Sequence, residues 1–117
     1  MQVVMAAALA FKPDVVAVSA GFDSHLKDPL LDLCLSSNVF HHVGLMLRGH
    51  FKDIFAVLEG GYNVDVLPLC IDNFLAGING QPMVGSERPT HSGVKVLEEF
   101  DLRLANLRHA HKGIWNL

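Results

Sequence analysis

A chain of 117 residues makes one domain at most. Half of it is apolar and only 18% is charged, a balance that suits a packed interior and excludes a disordered tail. A formal net charge of −3 and a pI near 6.1 leave no basic surplus for a nucleic-acid footprint.

The first element expected is a helix over Val3 to Phe11, where alanine and methionine favour helix and Pro13 stops it. Asp14 to Ser19, "DVVAVS", is β-branched and apolar with no polar face, the pattern of a strand buried on both sides in a parallel sheet. A long loop runs from Ala20 to Leu35. Ser36 or Ser37 then caps a helix that reaches about Gly49. Ile54 to Leu58 repeats the buried-strand pattern, and Glu59 to Asn63 is a glycine-rich turn. A third helix follows, with Pro68 in its first turn, where proline is tolerated. It runs to about Ala76, with Gly77 and Gly80 ending it. Residues 81–93 hold Pro82, Gly85, Pro89 and Gly93 and read as a linker. Segment 94–117 reads as an amphipathic helix to about Lys112, with Val94, Leu97, Phe100, Leu104 and Leu107 as its apolar stripe. The order is that of an α/β unit, a parallel sheet with helices on both faces. Only two strands are visible, which makes a poor core with two free edges.

Cys34 and Cys70 sit in apolar contexts that suit buried free thiols in a reducing compartment; a disulfide between them is the alternative the sequence leaves open. Met1 to Phe11 lacks the basic start of a signal peptide, and nothing approaches about 18 uninterrupted apolar residues. No membrane span and a cytoplasmic place are expected.

The chemistry gathers where the strands end, the usual ligand side of an open parallel sheet. Asp23 follows the first strand in "SAGFDSHLKDPL". Its carboxylate suits a metal ligand, or it closes an Asx-turn in its own loop. His25 reads as a loop residue near the rim, and Asp28 before Pro29 as a turn residue. Tyr62 follows Gly60 and Gly61 in "LEGGYN". Its phenol is placed to donate to a developing oxyanion, or its ring merely packs on the turn. Glu59 either braces this loop or is solvated. The glycines fit neither a dinucleotide fingerprint nor a phosphate loop. His41 and His42 are adjacent on a helix and cannot face one site. One is expected half-buried and the other exposed. His109 and His111 belong to a basic helix end, and His91 to the solvated linker.

"KPDVVAVSAGFDSHLKDPL" followed by "VLEGGYN" resembles the C-terminal part of the histone deacetylase superfamily, which includes histone deacetylases, acetylpolyamine amidohydrolases and acetoin-utilisation proteins. The "LEGGY" form looks closer to the class II-like and microbial branches than to class I. The resemblance covers residues 11–80 and assigns 1–80 to the C-terminal portion of the domain. It implies the arginase/deacetylase-type fold and a zinc-dependent amidohydrolase with zinc held by two Asp and one His; the sequence does not decide between zinc and iron. It places Asp23 as the last metal ligand and Tyr62 as the oxyanion donor. Gly60 and Gly61 would line the acyl channel. Glu59 and Asp28 are expected, from their places in the two loops, as loop support. The implied substrate is an acetylated lysine or polyamine. The family's His pair and D-x-H motif are absent, so the chain is expected to be a fragment that is inactive alone. It would be completed by an N-terminal segment of the same domain. The alternative is a non-catalytic interaction or self-association module derived from that fold.

Overall fold

The computed structural model describes residues 2–114. Its elements are α1 (Gln2–Phe11), β1 (Val16–Ala20), α2 (Asn38–His50), β2 (Ile54–Leu58), α3 (Leu67–Ile78) and α4 (Val94–Ala110). Two compact units divide them. Val15–Thr90 holds both strands, α2 and α3, and the other unit holds α1 and α4.

In the first unit, β1 and β2 pair in parallel, with Val16 opposite Ile54 and Ala20 opposite Leu58. Side chains alternate across a strand. One face therefore carries Val16, Val18, Ala20, Ile54, Ala56 and Leu58, and the other carries Ala17, Ser19, Phe55 and Val57. Helices α2 and α3 lie on the first face. There Ala20, Phe22, Phe40, Leu47, Cys70 and Phe74 form the core, with Val18 and Ile54 packed against it. The second face is open, with Phe55 54% and Val57 52% exposed. The strands are thus not buried on both sides within this unit. An all-apolar strand needs cover on two faces, and the helices of this unit supply one.

Helices α2 and α3 cross where two glycines meet. A Cβ on Gly77 would stand 2.2 Å from the His41 carbonyl oxygen, and one on Gly44 would stand 2.5 Å from that of Phe74. Gly77 is therefore a packing residue inside α3, not its terminator. The helix ends at Asn79 and then at Gly80, whose φ of +67° is glycine's territory. Pro68 does lie in the first turn. Ser37 holds the N-cap position of α2, but its hydroxyl makes no capping hydrogen bond. Its main-chain N–H donates instead to Glu87, 2.7 Å away.

Residues 81–90 are no loose linker within this unit. They form a strap read by two buried or half-buried amides. Asn73, fully buried, donates to the Gly85 carbonyl at 2.8 Å and accepts the Val84 N–H at 3.0 Å. Asn38 donates to the Glu87 carbonyl at 2.8 Å and accepts its N–H at 2.9 Å. His41 donates from Nε2 to the Gln81 carbonyl at 2.8 Å. His42 is exposed as expected, and His41 is buried rather than half-buried.

In the second unit, α4 buries none of its residues. Val94, Leu97 and Phe100 of the expected apolar stripe are exposed. The end of segment 94–117 lies outside the described residues. Cys34 is exposed rather than buried, Cys70 is buried, and both are free thiols. No helix among the described residues is long and apolar enough to cross a membrane.

Candidate active site

The parallel ladder does not stop with the strands. Glu59 donates its N–H to the Ala20 carbonyl at 3.1 Å, and Phe22 donates to the Gly60 carbonyl at 2.9 Å. These two bonds carry the pairing into both loops and lay Gly21–Phe22–Asp23 alongside Glu59–Gly60–Gly61. Phe22 is the anchor of this layer. Its ring lies 5.0 Å from Phe40 and 6.0 Å from Phe74, both edge-on, and it is 4% exposed. Edge-to-face aromatic pairs of this kind add about 0.5–1.5 kcal/mol beyond their burial. With its neighbour so fixed, Asp23 leaves the chain at a defined point.

The Asp23 carboxylate rests against bare main chain. A Cβ at Gly60 would come within 2.7 Å of its Oδ2, and one at Gly21 within 3.2 Å of Oδ1. Gly61 holds φ +126°, and a side chain there would run into Leu67 and Phe22. Gly60 and Gly61 are thus required by close approach, the first by Asp23 and the second by both packing and backbone angle.

A second clasp joins the loops further out. Asp28 Oδ2 accepts the Tyr62 N–H at 2.8 Å, while its Oδ1 accepts the Leu30 N–H at 2.9 Å. Asn63 donates to the Lys27 carbonyl at 2.7 Å. Desolvation pushes the Asp28 carboxyl up, but the main-chain N–H donors of Tyr62, Leu30, Asn63 and Leu31 outweigh it and hold the group below the usual carboxylate range. Asp28 therefore supports the Tyr62 loop directly. Glu59 lends only its main chain, since its side chain is exposed and has no hydrogen bond or ion pair among the described residues. Tyr62 as a residue is 55% exposed.

His25 corrects the rim reading, for it is fully buried. Its Nδ1 accepts the Lys27 N–H at 3.2 Å, so Nε2 carries the proton and donates to Glu87 Oε2 at 2.9 Å. Desolvation raises the Glu87 carboxyl, but the Ser37 N–H and the His25 ring overcome this and leave it below its ordinary value. Neither Phe22 nor Glu87 was marked by the sequence patterns. His25 and Glu87 are 62 positions apart, and no local spacing links them.

A carboxylate at the end of one parallel strand and a Gly-Gly-Tyr loop at the end of the next, zipped together by main-chain bonds, define an α/β strand-end site. The histone deacetylase domain matches residues 1–78. A polyamine deacetylase, HDAC10 of Danio rerio, is 30% identical over 97% of this chain and 16% of its own length. A probable deacetylase of Methanothermobacter thermautotrophicus is 37% identical over 61% of this chain and 22% of its own length. The solved structure of the histone deacetylase Clr3 superposes with a TM-score of 0.71 at 31% identity, over 86% of this chain and 17% of that one. The chain belongs to the histone deacetylase domain family. It spans less than a quarter of the length of these relatives.

Asp23 fits a metal ligand. Its carboxylate has no side-chain hydrogen bond among the described residues, and its oxygens lie close against Gly60 and Gly21, where a Cβ would crowd them. No group of three or more His, Cys, Asp or Glu side chains able to hold a metal occurs among the described residues. A catalytic zinc takes three protein ligands.

Proposed function

We propose that this chain is the C-terminal portion of a zinc-dependent deacetylase domain that hydrolyses an acetyl amide, of acetyl-lysine or acetylpolyamine. Asp23 supplies one metal ligand and Tyr62 the oxyanion donor. The His pair and the other two ligands come from a preceding segment of the same domain, without which the chain is inactive. When bound, zinc supplies Lewis-acid polarisation and lowers the pKa of water. The chain's own residues do the positioning. Phe22 fixes Asp23, Gly60 and Gly61 let the main chain line the acyl channel, and Asp28 holds the Tyr62 main chain so that the phenol can donate where charge develops.

The observation that carries this reading is the continued ladder, Ala20–Glu59 and Phe22–Gly60, which sets Asp23 against the Gly60–Tyr62 loop. Two free thiols fit a reducing compartment, and with it a cytoplasmic place.

The test joins the chain to a segment carrying the His pair and the D-x-H motif and measures zinc-dependent hydrolysis of a fluorogenic acetyl-lysine peptide and of an acetylated polyamine. Activity is expected only in the joined form. There Asp23→Ala abolishes zinc retention, read by metal analysis. Tyr62→Phe retains zinc but loses about 10²–10³ in turnover, the cost of one oxyanion donor. Full turnover in Tyr62→Phe would remove the tyrosine from the mechanism.

A second reading rests on the open sheet face, where Phe55 and Val57 are more than half exposed. In it the chain is a non-catalytic module that self-associates through that face and the free strand edges. Inactivity of the joined form, together with a concentration-dependent dimer of the chain alone, would favour it.

A further inference from the structure

Residues 81–90 follow the 1–78 span matched by the family domain, and buried polar groups of the site-bearing unit converge on them. We propose that Glu87 is a positioning residue for the Asp23 loop, its carboxylate tying His25 and Ser37, the two ends of residues 25–37, to the strap. The role rests on the reading of Asp23 and Tyr62 given above.

Four observations carry it. First, both donors meet one oxygen. The His25 Nε2–H and the Ser37 N–H reach Glu87 Oε2 at 2.9 and 2.7 Å. Second, His25 and Ser37 are each fully buried, so neither has water as an alternative partner. Third, Glu87 is itself fixed, its N–H and carbonyl both held by Asn38. Fourth, the loop is closed between the two tied points. Leu26 donates to the Leu35 carbonyl at 2.8 Å, and Leu35 donates to that of Ser24 at 2.9 Å. Asp23 stands two residues before His25. Asp28 stands three after it, with its N–H on the His25 carbonyl at 2.9 Å and its Oδ2 on the Tyr62 N–H. A displacement of His25 is therefore felt at both groups assigned to the chemistry. Because the strap is anchored independently by Asn73 and His41, the loss of Glu87 frees the loop and not the helices.

The experiment is site-resolved amide hydrogen exchange on the 117-residue chain, comparing Glu87→Ala and Glu87→Gln with the parent. In Glu87→Ala, the amides of Leu26, Asp28, Leu35 and Tyr62 are expected to exchange about tenfold faster, equivalent to about 1.4 kcal/mol of local opening. The amides of Leu47 in α2 and Phe74 in α3 keep their rates. Glu87→Gln is expected to restore the loop, because its single carbonyl oxygen can stand where Oε2 accepts both donors. Equal acceleration of all these amides, or of none, overturns the proposal, as does a Gln variant that behaves like Ala. A Glu87→Ala chain that fails to fold also counts against it, since a role confined to the loop leaves α2 and α3 intact. No turnover is needed, so a negative result here leaves the deacetylase reading standing. A failed peptide assay likewise leaves the exchange result standing.

Discussion

Where α2 crosses α3, two glycines bring main chain against main chain, and Phe74, Leu47 and Cys70 fill the space beside them. Where the loops leave β1 and β2, much of the apolar area is exposed, as at Leu30, Leu33 and Val64, and the segments are joined by hydrogen bonds through Asp28, Asn63 and Glu87. The crossing is held by shape, so any added atom is felt throughout the unit. The loop layer is held by direction and charge, so it can loosen locally and answers to pH. Phe22 belongs to both, with its ring in the core and its main chain in the loop ladder. It is how the rigid region dictates the position of the adaptable one.

Breaking the core is expected to have the largest effect. Phe74→Ala removes one partner of Phe22 and leaves a cavity, costing about 3–5 kcal/mol in urea denaturation. Gly77→Ala is next. Its methyl has only main chain to push against and costs about 1–3 kcal/mol. The control is Gly49→Ala in the same helix pair, where nothing lies within 4 Å, and there alanine is expected to stabilise by up to about 1 kcal/mol. If Gly77→Ala behaved like Gly49→Ala, the close crossing would be wrong.

The loop layer is expected to yield to acid. The folded-state pKa values of Asp28 and Glu87 are both lowered. Their contribution is therefore complete above the unfolded values, about 3.9 and 4.3. It is lost as pH falls through the lower folded values. The Tyr62 amide resonance, followed by NMR through this window, is expected to shift as its bond to Asp28 is lost. In Asp28→Asn that titration disappears. A Tyr62 amide that titrates unchanged in Asp28→Asn would place the acid response elsewhere. The smallest effect is chemical. Burial, with the Glu87 carboxylate adding to it, pushes the Cys70 thiol up to about 11. A thiol reagent at pH 8 is expected to label exposed Cys34 and to spare Cys70 until the chain unfolds, as a mass-spectrometric map would reveal.

The order of elements was legible because its causes are local. "DVVAVS" and "IFAVL" are strands by composition, Pro13 and Pro68 mark the helix boundaries, and Gly80 closes α3. The pairing of Asp23 with the Gly60–Gly61–Tyr62 loop was legible for a further reason. Two consecutive parallel strands in one sheet deliver their following loops to the same side. His25, Glu87 and Asn73 were not legible as a set. Their bonds span 62 and 12 positions of the chain and depend on where the strap passes over α2 and α3. Gly77 was misread for the same reason, since its role lies in a neighbouring helix.

By itself, then, the sequence determined the α/β class, the two parallel strands and the residue types offered at their ends, because backbone preference and hydrophobic patterning act over a few residues. Tertiary structure alone decided that Gly77 is a crossing point and that residues 81–90 are a strap. It also decided that His25 is buried on Glu87 and that one sheet face stays open. Each of these depends on which distant segment arrives beside a group and whether it brings a partner, a clash or no cover.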